Sequence, residues 1–137
     1  MKTLLFSAKG RISRGSYLLG ALALMVVAAV FTGATLAFQQ AVTVPDDSGT
    51  MHMELWQLGI FAALAVAYLV FMVWSGICLA VKRFHDLDVP GSQIFMFLVP
   101  FLNVWCMIRL IFFAGTPGSN KYGANPASGP VGTVVPA

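Results

Sequence analysis

Acid, base and cation types meet at one place in this chain, where Lys82-Arg83 runs through Phe84 into His85-Asp86. In an enzyme, a histidine beside an aspartate could serve as a general base with its orienting carboxylate, or give two ligands to a metal. The spacing argues against both. Adjacent residues seldom face one site, and no second histidine or cysteine accompanies them. His52 lies in a separate polar connection and reads as a solvated residue. Serine-nucleophile motifs and glycine-rich phosphate loops are missing. The expectation is a chain with no catalytic, cofactor-binding or metal site.

The cations admit a different chemistry. Arg11 and Arg14 are three apart and share a face if that arm is helical, which would make a fork for phosphate oxygens. Lys82 and Arg83 add to it. Asp86 is expected to pair with Arg11, Arg14 or Arg83 and close the ends of the helices that carry them. The candidate lipid-binding, partner-binding or structural set is therefore Arg11, Arg14, Lys82, Arg83, His85 and Asp86, with Asn103 and Arg109 as polar groups inside an apolar run.

Apolar runs must position these residues. The 137 residues are 58% hydrophobic and 9% charged, with a mean hydropathy of +0.83, outside the range of soluble domains. The runs cover roughly Tyr17 to Phe38, Leu55 to Val81 and Ile94 to Ala114. The first two lack charge and are long enough to cross a hydrocarbon core of about 30 Å. An all-α membrane protein follows, with helices at about 17–38, 55–81 and 93–114 forming a small bundle. One integral-membrane domain is expected over 1–126, with a disordered tail over 127–137. A net charge of +3 and a pI near 9.1 do not indicate nucleic acid, because the basic residues border the apolar runs. Anionic phospholipid is the expected partner. Cys78 and Cys106 fall inside those runs and behave as small hydrophobes.

Charge sets the topology. The arm before Tyr17 carries Lys2, Lys9, Arg11 and Arg14 without an acid, and the connection from Gln39 to Glu54 carries Asp46, Asp47 and Glu54 without a cation. The positive-inside rule puts the arm and the Lys82 stretch in the cytoplasm. A cleaved signal peptide is disfavoured, since its apolar region runs about 7 to 15 residues and this run is about 22. Ser13 or Ser16 can cap the first helix. Ala29, Gly33 and Ala37 face Gly59, Ala63 and Ala67 at four-residue spacing, which predicts close approach there and a splayed cytoplasmic end.

The third run contains Pro100, Asn103 and Arg109. As one helix it would carry Arg109 into the outer half of the bilayer. As a hairpin turning at 100–103 it makes four helices in all and returns Arg109 to the cytoplasmic face. The hairpin is favoured, because a charge at the bilayer centre costs at least about 2.5 kcal/mol. Its turn is expected to be buried in protein.

Three stretches carry a resemblance. Phe6 with Gly10-Arg11-Ile12-Ser13-Arg14, then Lys82-Arg83-Phe84-His85-Asp86, then Gly115-Thr116-Pro117-Gly118-Ser119-Asn120-Lys121-Tyr122-Gly123 with Asn125-Pro126 are similar to the domain-of-unknown-function 805 family of small bacterial inner-membrane proteins. The resemblance covers nearly the whole chain except the tail and the outer loop. It implies a multi-pass inner (plasma) membrane location and no established activity. Family members usually continue past His-Asp with a glycine and then Ser-Gly-Trp-Trp, where this chain has Asp88, Pro90, Gly91, Ser92 and Gln93, so aromatic anchoring of the third segment is not expected.

Two functions fit these features. One is a non-enzymatic scaffold or binding protein whose basic cytoplasmic face meets anionic lipid or a partner subunit, itself a second copy or another membrane protein. The other is a small transport component, acting as an oligomer, with Arg109, Asn103 and His85 along a polar path.

Overall fold

The computed structural model describes residues 5–42, 44–45, 51–52 and 54–126. Its elements in order are α1 (Arg14–Val42), a two-residue antiparallel pair of β1 (Val44–Pro45) and β2 (Met51–His52), α2 (Leu55–Asp86), a 3₁₀ helix (Gly91–Leu98) and α3 (Leu102–Phe112). The fold is helical apart from that short pair. The tail expected over 127–137 lies outside the described residues.

Ser13 starts α1. Its hydroxyl accepts the Ser16 N–H at 3.2 Å, which satisfies one of the donors a helix start leaves open, and its carbonyl accepts the Tyr17 N–H as the first bond of the helix. At the start of α2, Gln57 reaches back to accept the Glu54 N–H at 2.9 Å, the reciprocal half of a capping box. Both helices are long and apolar enough to cross a membrane.

The end of α2 differs from the sequence reading. Lys82 to Asp86, beyond the expected helix end at residue 81, are the last turns of the helix, which runs unbroken from Leu55. Arg and Lys are good helix formers, and nothing in the local sequence stops the helix before Leu87. It stops at Asp88, which takes φ 57. The Asp88 N–H bonds the His85 carbonyl and the Val89 N–H the Phe84 carbonyl, the two bonds of a Schellman motif with aspartate where glycine is usual.

The third apolar run is a hairpin. Val99, Pro100 and Phe101 separate the 3₁₀ helix from α3, and Arg109 Nη1 donates to Gln93 Oε1 at 3.1 Å across its base. Arg109 has returned to the level of the first 3₁₀ residues. The tip is not buried in protein as expected: Leu98 is 80% and Phe101 89% exposed.

The chain divides into two compact units, Met1–Ala23 with Val73–Ala137, and Leu24–Met72. In the first, Ile12, Tyr17, Cys78, Leu79, Phe84, Cys106 and Leu110 form the core, with both cysteines free. Gly20 lies against Leu79 so closely that an added Cβ would come within 2.6 Å of its Cδ1. In the second, Phe31 stacks on Tyr68 with centroids 4.0 Å apart, and Phe38 meets Phe61 edge-on at 5.1 Å. The small-residue stripe is not the seam of that unit, because a Cβ on Gly33 or Gly59 would meet nothing within 4 Å. Aromatic pairs make the contact instead.

Candidate functional site

Asp86, the last residue of α2, is the centre of a buried ionic cluster. A carboxylate is unfavourable at a helix C-terminus, where unpaired carbonyls concentrate negative charge, so its place there depends on cations. Arg11 donates to Oδ1 from Nε at 3.2 Å and from Nη2 at 3.0 Å. Arg83, one turn earlier on α2, donates from Nη1 to Oδ2. Both guanidinium side chains are wholly buried, and Asp86 nearly so.

Two cations against one anion leave a surplus positive charge, and backbone carbonyls absorb it. Arg11 Nη1 donates to the carbonyls of Gly118 at 2.9 Å and Gly123 at 3.1 Å, and Nη2 to that of Thr116 at 2.9 Å. With a further Nη2 contact to the Thr116 hydroxyl at 3.2 Å, all five N–H groups that a guanidinium carries are engaged. Arg83 turns Nε to the Leu110 carbonyl at 3.0 Å and Nη2 to that of Phe113. These lie at the C-terminus of α3, so Arg83 caps one helix from the last turn of another. The hairpin base is fixed to α2 by this residue.

The stretch after α3 completes the cluster. Thr116 gives both its N–H, at 2.9 Å, and its hydroxyl, at 3.1 Å, to the Asp86 carbonyl, and Asn120 Nδ2 donates to the His85 carbonyl at 2.9 Å. The final carbonyls of α2 are therefore capped by residues some thirty positions downstream in sequence. Asn120 also accepts the Tyr122 N–H at 2.9 Å, an Asx turn. Gly115 passes so close to Asp86 that a Cβ there would collide with the carboxylate.

His85 does not share the Asp86 site. Its Nδ1 lies 3.2 Å from the Gly10 carbonyl; a carbonyl only accepts, so Nδ1 carries the proton. The ring stacks on Tyr122 at 3.8 Å between centroids. The N-terminal arm, the end of α2 and the 115–123 stretch are joined twice, once through Arg11 and once through His85.

The structure thus brings Arg11, Arg83 and Asp86 together and sets His85 beside them. Lys82 is fully buried as well. Arg14 is exposed at the first turn of α1. Arg11 precedes that helix, so Arg11 and Arg14 do not form a helical fork, and three of the four cations expected to face headgroups are interior. Asn103 lies exposed near the hairpin tip and Arg109 is half-buried on Gln93. Sequence reasoning missed Gly115, Thr116, Gly118, Asn120, Tyr122 and Gly123 as members of the site. Their signal was a polar, turn-dense stretch directly after an apolar run. Among the described residues, no three of His, Cys, Asp and Glu gather as a metal-binding group.

Known proteins extend this picture. The chain is 40% identical over 68 residues to inner membrane protein YhaI of Escherichia coli K12, covering 48% of this chain and 56% of the relative. It is 36% identical over 58 residues to inner membrane protein YhaH of the same strain, covering 42% and 46%. The chain spans about half the length of the curated relatives it matches. No solved structure matches it. The family described as protein of unknown function (DUF805) matches residues 5–124, a span that takes in Arg11, Asp86 and the 115–123 stretch alike, and the chain belongs to this family of membrane proteins.

Proposed function

We propose that this protein is a non-enzymatic scaffold of the bacterial inner membrane, with its N-terminus in the cytoplasm and a basic face that holds anionic phospholipid. The observation that carries the reading is the sorting of its charges. Arg11, Arg83 and Asp86 are buried and hydrogen-bonded to one another and to backbone, so they hold the fold closed. Lys9 and Arg14 are exposed on the same N-terminal arm, and Lys121, with 60% of its side chain exposed, joins them 3.9 Å from Asp88. Each such cation near an anionic leaflet contributes about 1 kcal/mol of attraction. Arg11, Lys82 and Arg83 are buried away from any headgroup, so phosphate binding is assigned to the three exposed residues. Both oxygens of the Asp86 carboxylate are taken by guanidinium donors, which favours a structural role for that carboxylate.

Native mass spectrometry with cardiolipin and phosphatidylglycerol, run beside thermal melting in detergent, tests the reading. Arg14→Gln combined with Lys121→Gln is expected to reduce retained acidic lipid while leaving the melting temperature in place. Arg11→Gln is expected to lower the melting temperature. Unchanged lipid retention in the double variant would refute the binding role.

A further inference from the structure

We infer that the hairpin of the 3₁₀ helix and α3 is a half-depth wedge, immersed in the acyl chains of the leaflet next to the Asp86 cluster and turning back near the bilayer midplane. Its dimensions point there first. Eight 3₁₀ residues at about 2.0 Å each and eleven α residues at about 1.5 Å each give two arms of about 16 Å. The hydrocarbon core is about 30 Å thick, so each arm matches one leaflet and neither can span two.

Polarity along the hairpin follows the same gradient. At the base stand Ser92, Gln93 and Arg109, with Arg83 gripping the carbonyls of Leu110 and Phe113. Toward the tip, Phe95, Leu98, Phe101 and Val104 are each more than 60% exposed. Val73, Trp74 and Ile77 are likewise exposed on α2 in the same compact unit, and α2 is itself a candidate span.

The turn also meets much of its own hydrogen bonding. Polar backbone in lipid must be satisfied internally. Here the Val99 N–H bonds the Met96 carbonyl at 3.2 Å, the Leu102 N–H that of Pro100 at 2.9 Å, the Asn103 N–H that of Val99 at 3.0 Å, and the Trp105 N–H that of Phe101 at 3.1 Å. Pro100 brings no N–H at all. Four of the turn's N–H groups are thus met within it, which lowers the cost of placing it in lipid. The Asn103 side chain is the polar group of this region that a second copy could use, and the test must separate that occupant from lipid.

Full-length protein with Cys78→Ala and Cys106→Ala, nitroxide-labelled in turn at S92C, F95C, L98C and F101C, is reconstituted in phosphatidylethanolamine and phosphatidylglycerol vesicles. The expected result is an oxygen-to-nickel-chelate accessibility ratio that climbs from Ser92 to Phe101. Should F101C not fold, the rise from Ser92 through Leu98 carries the same information. Ready access of the nickel chelate to Leu98 or Phe101 would place the tip in water and overturn the wedge. Shielding from both reagents, with dipolar coupling between tip labels, would make a second copy the occupant and overturn it equally. A reporter fused after Ala137 is expected on the same side as the N-terminus, and one on the opposite side would mean that the third run crosses.

Discussion

Arg11 and Asp86 are 75 positions apart, yet Arg11 commits both Nε and Nη2 to the single oxygen Oδ1 of Asp86. The other carboxylate oxygen is left to Arg83, so the three residues form a closed triad with no water-facing edge. Breaking a buried ion pair by removing one partner costs about 3–5 kcal/mol, and loss of Arg11, although it leaves Asp86 on Arg83, also strands the carbonyls of Thr116, Gly118 and Gly123. Arg11→Met should destabilise by that order in a detergent melt. Asp86→Asn should do the same, because two buried guanidinium groups then face each other without their anion. The double variant is expected to cost clearly less than the sum of the two. Additive losses would mean that the pair does not couple.

Gly115 makes a sharper test of the same cluster. A Cβ at this position overlaps the Asp86 carboxylate, and that carboxylate is held by three donors, so it has no cheap direction in which to move. Gly118 lies three residues on, with φ +74 and open space where its Cβ would be, so Gly118→Ala carries only the left-handed penalty of about 1–2 kcal/mol. Gly115→Ala should therefore lower the melting temperature more than Gly118→Ala. The reverse order would show that the 115–123 stretch does not pack as described.

Much of this was legible in the sequence, and the remainder was hidden for physical reasons. Apolar runs reveal α1 and α2 because lipid demands them, and Pro100 with Arg109 reveals the hairpin because a charge avoids the bilayer centre. The continuation of α2 through Lys82-Arg83-Phe84-His85-Asp86 was hidden. Charge marks the end of an apolar run, but a helix ends only where its backbone bonds do, here at Asp88. The partners of Arg11 were hidden more deeply. Three of its four are reached through backbone carbonyls, at Thr116, Gly118 and Gly123, and a carbonyl leaves no trace in residue identity beyond the turn residues that aim it.

Glycines in α1 separate the expected seam from the observed one. Gly20→Leu forces a side chain into Leu79, where even a Cβ lies 2.6 Å from Cδ1, whereas Gly33→Leu enters open space. Overpacking typically costs about 1–3 kcal/mol, and replacing an exposed helical glycine recovers up to about 1 kcal/mol of propensity. Gly20→Leu should lower the melting temperature in detergent, and Gly33→Leu should hold or raise it. A loss at Gly33 would return the contact to the small-residue stripe.

Asp88 offers a stabilising substitution in which two effects oppose each other. As the residue after the C-cap of α2 it takes φ 57, a conformation that costs a residue with a Cβ roughly 1–2 kcal/mol relative to glycine, less for aspartate than for most. Against that stands its pairing with Lys121 at 3.9 Å, with both side chains about half exposed or more. Exposed pairs of this kind are worth about 0–1 kcal/mol and fade with salt. The backbone effect wins, and it wins by more as the ions are screened. Asp88→Gly should raise the melting temperature slightly at low salt and by a larger margin at 0.5 M sodium chloride, an ionic strength at which screening acts within about one ion-pair length. A lowered melting temperature at both salt concentrations would show that the Lys121 contact, and not the Schellman turn, fixes this end of the helix.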